Sequence, residues 1–218
     1  MLLKTNAYAI NAKNKANGLD LLADINSETI TTAFLDPQYN GILEKMHYGQ
    51  HRMDNRFALQ QMNEETIKAF VVEINRVLKK SGYLFLWIDK FHLLNGYENF
   101  REWINETELQ VVDSITWNKK RIGMGYRTRR TSEYLIVLQK QPIKARSTWT
   151  DHSIPDVWDE KVSRIHAHRK PVELQKRLIA ATTKAGDYVL DPAAGSYSVM
   201  EACKDLSVEF IGCDIEFG

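Results

Sequence analysis

Short runs of apolar, β-branched and aromatic residues alternate along the chain with longer stretches of helical period. That alternation restricts the fold more than any other feature. "ITTAFL" (30–35), "GYLFLWI" (82–88), "LQVVDSITW" (109–117), "SEYLIVLQ" (132–139), "DYVL" (187–190) and "VEFIGCDI" (208–215) are the predicted strands. The second is apolar almost throughout, as a strand covered on both faces should be. Between them, "NEETIKAFVVEINRVLKKSG" has Asn63 as a cap and an apolar stripe of Ile67, Phe70, Val71, Ile74, Val77 and Leu78. Its lysines are expected to close the helix. "KPVELQKRLIAATTKAG" is a second predicted helix, with Pro171 in its first turn and Gly186 as its terminator. "YSVMEACKDL" predicts a shorter one.

The expected fold class is therefore α/β. It is a largely parallel sheet with helices on both faces. In such folds ligands bind beyond the carboxyl ends of the strands. Two of the predicted strands end there at Asp-Pro: Asp36-Pro37 and Asp191-Pro192. The 218 residues suit one domain, with an irregular excursion at about 140–169.

Composition removes several function classes. The net charge of +1 provides no global field for nucleic acid, so any such contact needs a local patch. Cys203 and Cys213 form no CxxC pair, which argues against a zinc ribbon or disulfide framework and suits a cytoplasmic setting. The six histidines form no HExxH frame, so no catalytic metal is expected. No apolar run is long enough for a membrane span.

Each motif has a plain structural reading: a strand-ending turn at "DPQY", a tight strand-to-helix turn at "LDPAAGS", a solvent-facing acid in "FIGCD". Asp214 follows Gly195 at about the 20-residue gap that separates a glycine turn from a ribose-binding acid in dinucleotide folds. Taken together the three motifs are far more specific. The chain resembles the S-adenosylmethionine-dependent DNA amino-methyltransferases that methylate adenine N6 or cytosine N4. "DPQY" looks like their D-P-P-Y catalytic motif, "DPAAGS" like their D-P-F-x-G-S-G cofactor motif, and "HAHRKP" (166–171) like their H-P-x-Q-K-P segment. The catalytic motif precedes the cofactor motif, which is the permuted, beta-class order. The resemblance runs from about Ala16 to Asp214.

The resemblance implies a Rossmann-like three-layer α/β fold with an antiparallel strand in its sheet, and a set of roles. Asp36 and the Pro37 carbonyl would accept the two N–H bonds of the target amine, and Tyr39 would stack on a flipped-out base. Asp191 would take the methionine ammonium, Ala193, Gly195 and Ser196 would line the cofactor, and Asp214 would hold the ribose hydroxyls. Asn17 stands where the family has an acid near the cofactor adenine. Asp36 and Lys170 would also border the cofactor. Between two predicted strands, Lys119, Lys120, Arg121, Arg127, Arg129 and Arg130 form a cationic loop suited to the phosphates of double-stranded DNA, and Gln38 would reach the base.

Three departures qualify the match. Gln38 replaces the second proline and frees the Pro37 backbone. Ala193 and Tyr197 replace a phenylalanine and a glycine. Tyr197 is expected at an ordinary backbone angle, with its ring able to pack over the cofactor. The chain also stops at Gly218, where the family usually continues into another helix, so one flank of the cofactor pocket is expected either to be thin or to be covered by a partner subunit, such as a second copy in a homodimer. Adenine-N6 transfer is the expected activity, in a bacterial or phage setting. Cytosine-N4 transfer, more often associated with Ser at position 36, stays open, as does a non-catalytic nucleic-acid-binding subunit.

Overall fold

The computed structural model describes residues 1–37, 62–88, 90–95, 97–123, 127–162 and 169–218. In chain order the elements are β1 (Asn14–Lys15), α1 (Gly18–Asp24), β2 (Ile30–Leu35), α2 (Glu64–Val77), β3 (Leu78–Ile88), α3 (Lys90–Asn95) and α4 (Tyr97–Ile104). They continue with β4 (Leu109–Asn118), β5 (Ser132–Lys140), β6 (Val157–Asp159), α5 (Val172–Thr182), β7 (Tyr188–Asp191), α6 (Ser198–Cys203) and β8 (Glu209–Asp214).

One eight-stranded sheet runs in the order β1-β8-β7-β2-β3-β5-β4-β6. The first five strands of that order are mutually parallel. β5 is antiparallel to both β3 and β4, and β6 is parallel to β4. The α/β class, the largely parallel sheet and the antiparallel strand are all as expected.

The period-two pattern of the central strands builds two cores. Ala33 and Leu35 of β2, with Leu84, Leu86 and Ile88 of β3, pack against α1, α2 and Trp103 of α4. The alternate residues Phe34, Tyr83, Phe85 and Trp87 pack on the other face against Leu174, Leu178 and Ile179 of α5 and Val199 and Ala202 of α6. Both faces are covered, which explains why β3 reads as a continuous apolar run. Burial of each such side chain contributes about 1.5–3 kcal/mol.

From β2 the chain crosses to β3 on one side, and from β7 it crosses to β8 on the other. β2 and β7 are neighbours, with Ala33 opposite Leu190. The strand order therefore switches direction between the two Asp-Pro ends, and a crevice at that point is where such sheets bind ligands.

Asn63 caps α2 as expected, its side chain accepting the Thr66 amide at 2.7 Å. Two helix ends differ from expectation. α2 stops at Val77, and Lys79 and Lys80 already belong to β3. The carbonyls of Arg76 and Val77 are taken by the amides of Glu28 and Thr29, just before β2, so the helix end is bonded into the sheet lead-in. α5 ends at Thr182, and Gly186 lies beyond it in the turn into β7. There the Thr182 and Thr183 hydroxyls bond back to the carbonyls of Leu178 and Ile179, each at 2.7 Å.

Within 140–162, residues 157–159 return to the sheet edge as β6. Trp149, Ile154, Trp158 and Val162 pack against the second core, so this stretch is anchored to the domain. No helix among the described residues is long and apolar enough to cross a membrane.

Candidate active site

The parallel neighbours β8, β7 and β2 bring Asp214, Asp191 and Asp36 to one edge of the sheet. Asp191 is buried and accepts the Ala193 amide at 3.2 Å. Burial disfavours its charged form, the Ala193 amide favours it, and the Asp36 and Asp214 charges oppose it. The net effect pushes the carboxyl up to about 8. A buried acid beside two others is a site that favours a cationic ligand.

The turn after β7 is shaped around the same acids. Gly195 has φ +47°, and a side chain there would meet nothing within 4 Å, so its backbone faces open space. Its amide donates to Asp214 Oδ2 at 3.0 Å, while Asp214 Oδ1 accepts the amides of Glu216 at 2.8 Å and Phe217 at 3.0 Å. Ala193 and Ser196 are half-buried in this turn.

Asn17 caps α1, its side-chain oxygen accepting the Leu19 amide at 2.9 Å. Ala16 donates to the Asp214 carbonyl at 3.0 Å, which brings Asn17 beside the end of β8. A methyl group on Gly18 would lie 2.1 Å from the Pro192 carbonyl oxygen, so α1 can approach the turn after β7 only through glycine.

Tyr197 departs from expectation. Its backbone is left-handed, with φ +56° and ψ +35°, despite its side chain. The ring is buried in the second core, edge-on to Phe210, and so does not lie over the crevice. Its hydroxyl lies 2.9 Å from the Asn14 carbonyl and 2.8 Å from that of Phe217, and its one proton serves one of them at a time. These contacts hold the αL angle, which otherwise costs on the order of 1–3 kcal/mol.

On the β2 side, Pro37 is buried and Asp36 is partly exposed. The Lys170 ammonium lies 3.0 Å from Asp36 Oδ2 and 2.9 Å from Glu133 Oε2, with its charge 5.1 Å from the centre of the Trp87 ring. Burial alone would lower the lysine's pKa, but the Asp36 and Glu133 charges more than reverse this and hold it above the ordinary value. Lys170 thus meets the first Asp-Pro pair directly. Glu133 was not singled out from the sequence, and an acid at the start of an apolar strand was its only signal. Gln38 and Tyr39 lie outside the described residues.

The cationic loop joins β4 to β5 at the same edge as Asp36. Arg121, Arg127 and Arg129 are exposed, and Arg130 is partly so. Lys120 is ion-paired with Asp159 at 2.6 Å. Lys119 differs from expectation: it is buried and bound to Glu133 Oε1 at 3.2 Å, which sets it apart from the exposed cations of the loop. Among the described residues, then, the motifs that looked separate in the sequence converge on one end of the sheet, the end that also carries the exposed arginines.

Comparison with known proteins gives the family. The DNA methylase family of N6 and N4 methyltransferases matches residues 30–217. The Type II methyltransferase M.HhaII of Haemophilus parahaemolyticus is 55% identical over 213 residues, covering 96% of this chain and 92% of that one. M2.MboI of Moraxella bovis, also a Type II methyltransferase, is 23% identical, covering 93% and 82%. Among solved structures, the M1.HpyAVI–SAM complex superposes with TM-score 0.66 at 16% identity, covering 94% and 92%. The cytosine-N4-specific PvuII DNA methyltransferase does so with TM-score 0.72 at 14% identity, covering 96% and 83%. On the extent of these matches, the chain belongs to the DNA methylase family of N6 and N4 amino-methyltransferases.

Proposed function

We propose that the protein transfers a methyl group from S-adenosylmethionine to the exocyclic N6 of adenine in double-stranded DNA. The observation that carries this reading is the placement of Asp36 at the strand-order switch. There it is held by Lys170 and adjoins the acidic, backbone-lined turn around Asp191, Gly195 and Asp214.

The residues present fit the cofactor. Asp191, buried with one amide donor, would accept the methionine ammonium. Asp214 Oδ2, which accepts the Gly195 amide, retains lone-pair capacity for a ribose hydroxyl. Ala193, Gly195 and Ser196 would line the cofactor, with Asn17 at the start of α1. When bound, S-adenosylmethionine supplies an electrophilic methyl group on a sulfonium.

The chain's own work is on the base. Adenine N6 is a poor nucleophile because its lone pair is delocalised into the ring. The Asp36 carboxylate and the Pro37 carbonyl, aimed at its two N–H bonds, would favour a pyramidal nitrogen and free that lone pair. The base must leave the duplex first, at a cost of a few kcal/mol. Tyr39 is the proposed stacking face and Gln38 a contact to the base. Arg121, Arg127, Arg129 and Arg130 would hold phosphates, and residues 140–169 would contribute to target recognition.

The test is Asp36→Ala with labelled cofactor and duplex DNA. Transfer is expected to fall by at least a hundredfold while cofactor binding by calorimetry persists. Surviving transfer would contradict the acceptor role of Asp36.

A further inference from the structure

The ion pair at Asp36 is one end of a longer chain of charges. Glu133, at the start of β5, accepts from Lys170 Nζ on Oε2 at 2.9 Å and from Lys119 Nζ on Oε1 at 3.2 Å. Lys170 passes the contact on to Asp36 Oδ2 at 3.0 Å. Lys119 also donates its backbone amide to the Thr131 carbonyl at 2.8 Å and so closes the neck of the loop that carries the exposed arginines. Two cations and two carboxylates therefore alternate from the loop neck to the catalytic motif. Burial works against the Glu133 charge, but Lys170 and Lys119 outweigh it and hold the carboxyl down at about 2.

A lysine alone would position Asp36 poorly, because its four-carbon stem is flexible. Here the ammonium is fixed from two further sides, by the Glu133 carboxylate and the Trp87 ring. With Oδ2 tied to that fixed ammonium, the Asp36 carboxylate is restrained in rotation. The orientation of its oxygens decides whether one of them meets the amine proton.

Resting on the methyl-transfer reading above, we propose that Glu133 is a positioning residue for that reaction. It holds Lys170 against Asp36 and ties the pair, through Lys119, to the neck of the arginine-bearing loop. Seating DNA on that loop and aiming Asp36 are then mechanically linked. Glu133 itself touches neither base nor cofactor.

The test is steady-state kinetics of the full chain on mixed-sequence duplex DNA with S-adenosylmethionine, for Glu133→Gln, Lys170→Met and the double variant, alongside melting temperatures. Glu133→Gln is expected to lower kcat on the order of 10- to 100-fold, as small misplacements of a reacting group do, with both KM values within about twofold. In the Lys170→Met background the Glu133 change is expected to cost nothing further, because Glu133 acts only through Lys170. Should Glu133→Gln fail to fold, Glu133→Asp, which keeps the charge but draws it back, is expected to show the same kcat-selective loss. A wild-type kcat in the variant, a loss additive with Lys170→Met, or a loss confined to KM would overturn the proposal. The wild-type chain is the control. Turnover there with Glu133→Gln unaffected contradicts this inference alone, whereas no wild-type turnover contradicts the function on which it rests.

Discussion

Gly195 donates its amide to Asp214 Oδ2 at 3.0 Å, across the gap between the turn after β7 and the end of β8. The same carboxylate accepts the amides of Glu216 and Phe217. Asp214 is therefore a scaffold for the turn after β7, apart from the ribose-binding role proposed for it above. Asp214→Ala is expected to lose about 2 kcal/mol of stability, the scale of hydrogen bonds to a charged group. That is roughly a 4–8 °C drop in melting temperature at this length. Cofactor affinity should fall with it. An unchanged melting temperature would show that the turn holds itself.

Asp191 and Glu133 give opposite pH dependences. The folded Asp191 carboxyl, pushed up to about 8 from an ordinary 3.8, holds a proton that the unfolded chain has already released. Its contribution is complete below about pH 4 and is lost as pH rises towards 8. Glu133, held down at about 2 from an ordinary 4.5, contributes fully above about pH 4.5 and loses that contribution as pH falls towards 2. Asp191→Asn is therefore expected to be more stable than wild type at pH 8 but not at pH 4, while binding cofactor less well. Urea midpoints at the two pH values, with a calorimetric titration, check both arms.

Much of this site was legible in the sequence because its acids sit at the ends of apolar runs. Asp36, Asp191 and Asp214 each follow or close a strand, and a parallel sheet places such ends together whatever the helices do. The charge chain was not legible, because Lys119, Glu133 and Lys170 meet only through the antiparallel pairing of β4 with β5 and the lead-in to α5. Lys119 was grouped with its loop neighbours, since nothing local distinguishes a buried lysine from an exposed one. Lys79 and Lys80 looked like a helix end because they follow the apolar stripe. The bonds from Glu28 and Thr29 that end α2 earlier come from a distant part of the chain.

Tyr197 shows where residue type misled. A glycine in the family motif suggested that a tyrosine would need a different angle, yet Tyr197 keeps φ +56°. Its hydroxyl, near the Asn14 and Phe217 carbonyls, links β1 to the segment after β8. Tyr197→Phe is expected to cost about 1–2 kcal/mol in urea unfolding, for the lost donor and the carbonyl left without it. Wild-type stability in that variant would show the hydroxyl contacts to be dispensable.

The exposed arginines carry the DNA contact proposed above. Arg129→Ala is expected to weaken duplex binding regardless of sequence and to lower the slope of log affinity against log salt by about 1, the effect of one lost phosphate contact. Fluorescence anisotropy across a salt series measures it. An unchanged slope would remove Arg129 from the interface.

The most direct measurement is the identity of the modified base: tritiated S-adenosylmethionine, mixed-sequence duplex DNA, then nucleoside analysis of the product. N6-methyladenine, absent with Asp36→Ala, is the expected result. Label recovered as N4-methylcytosine, or no label in DNA while the cofactor still binds, would contradict adenine-N6 transfer.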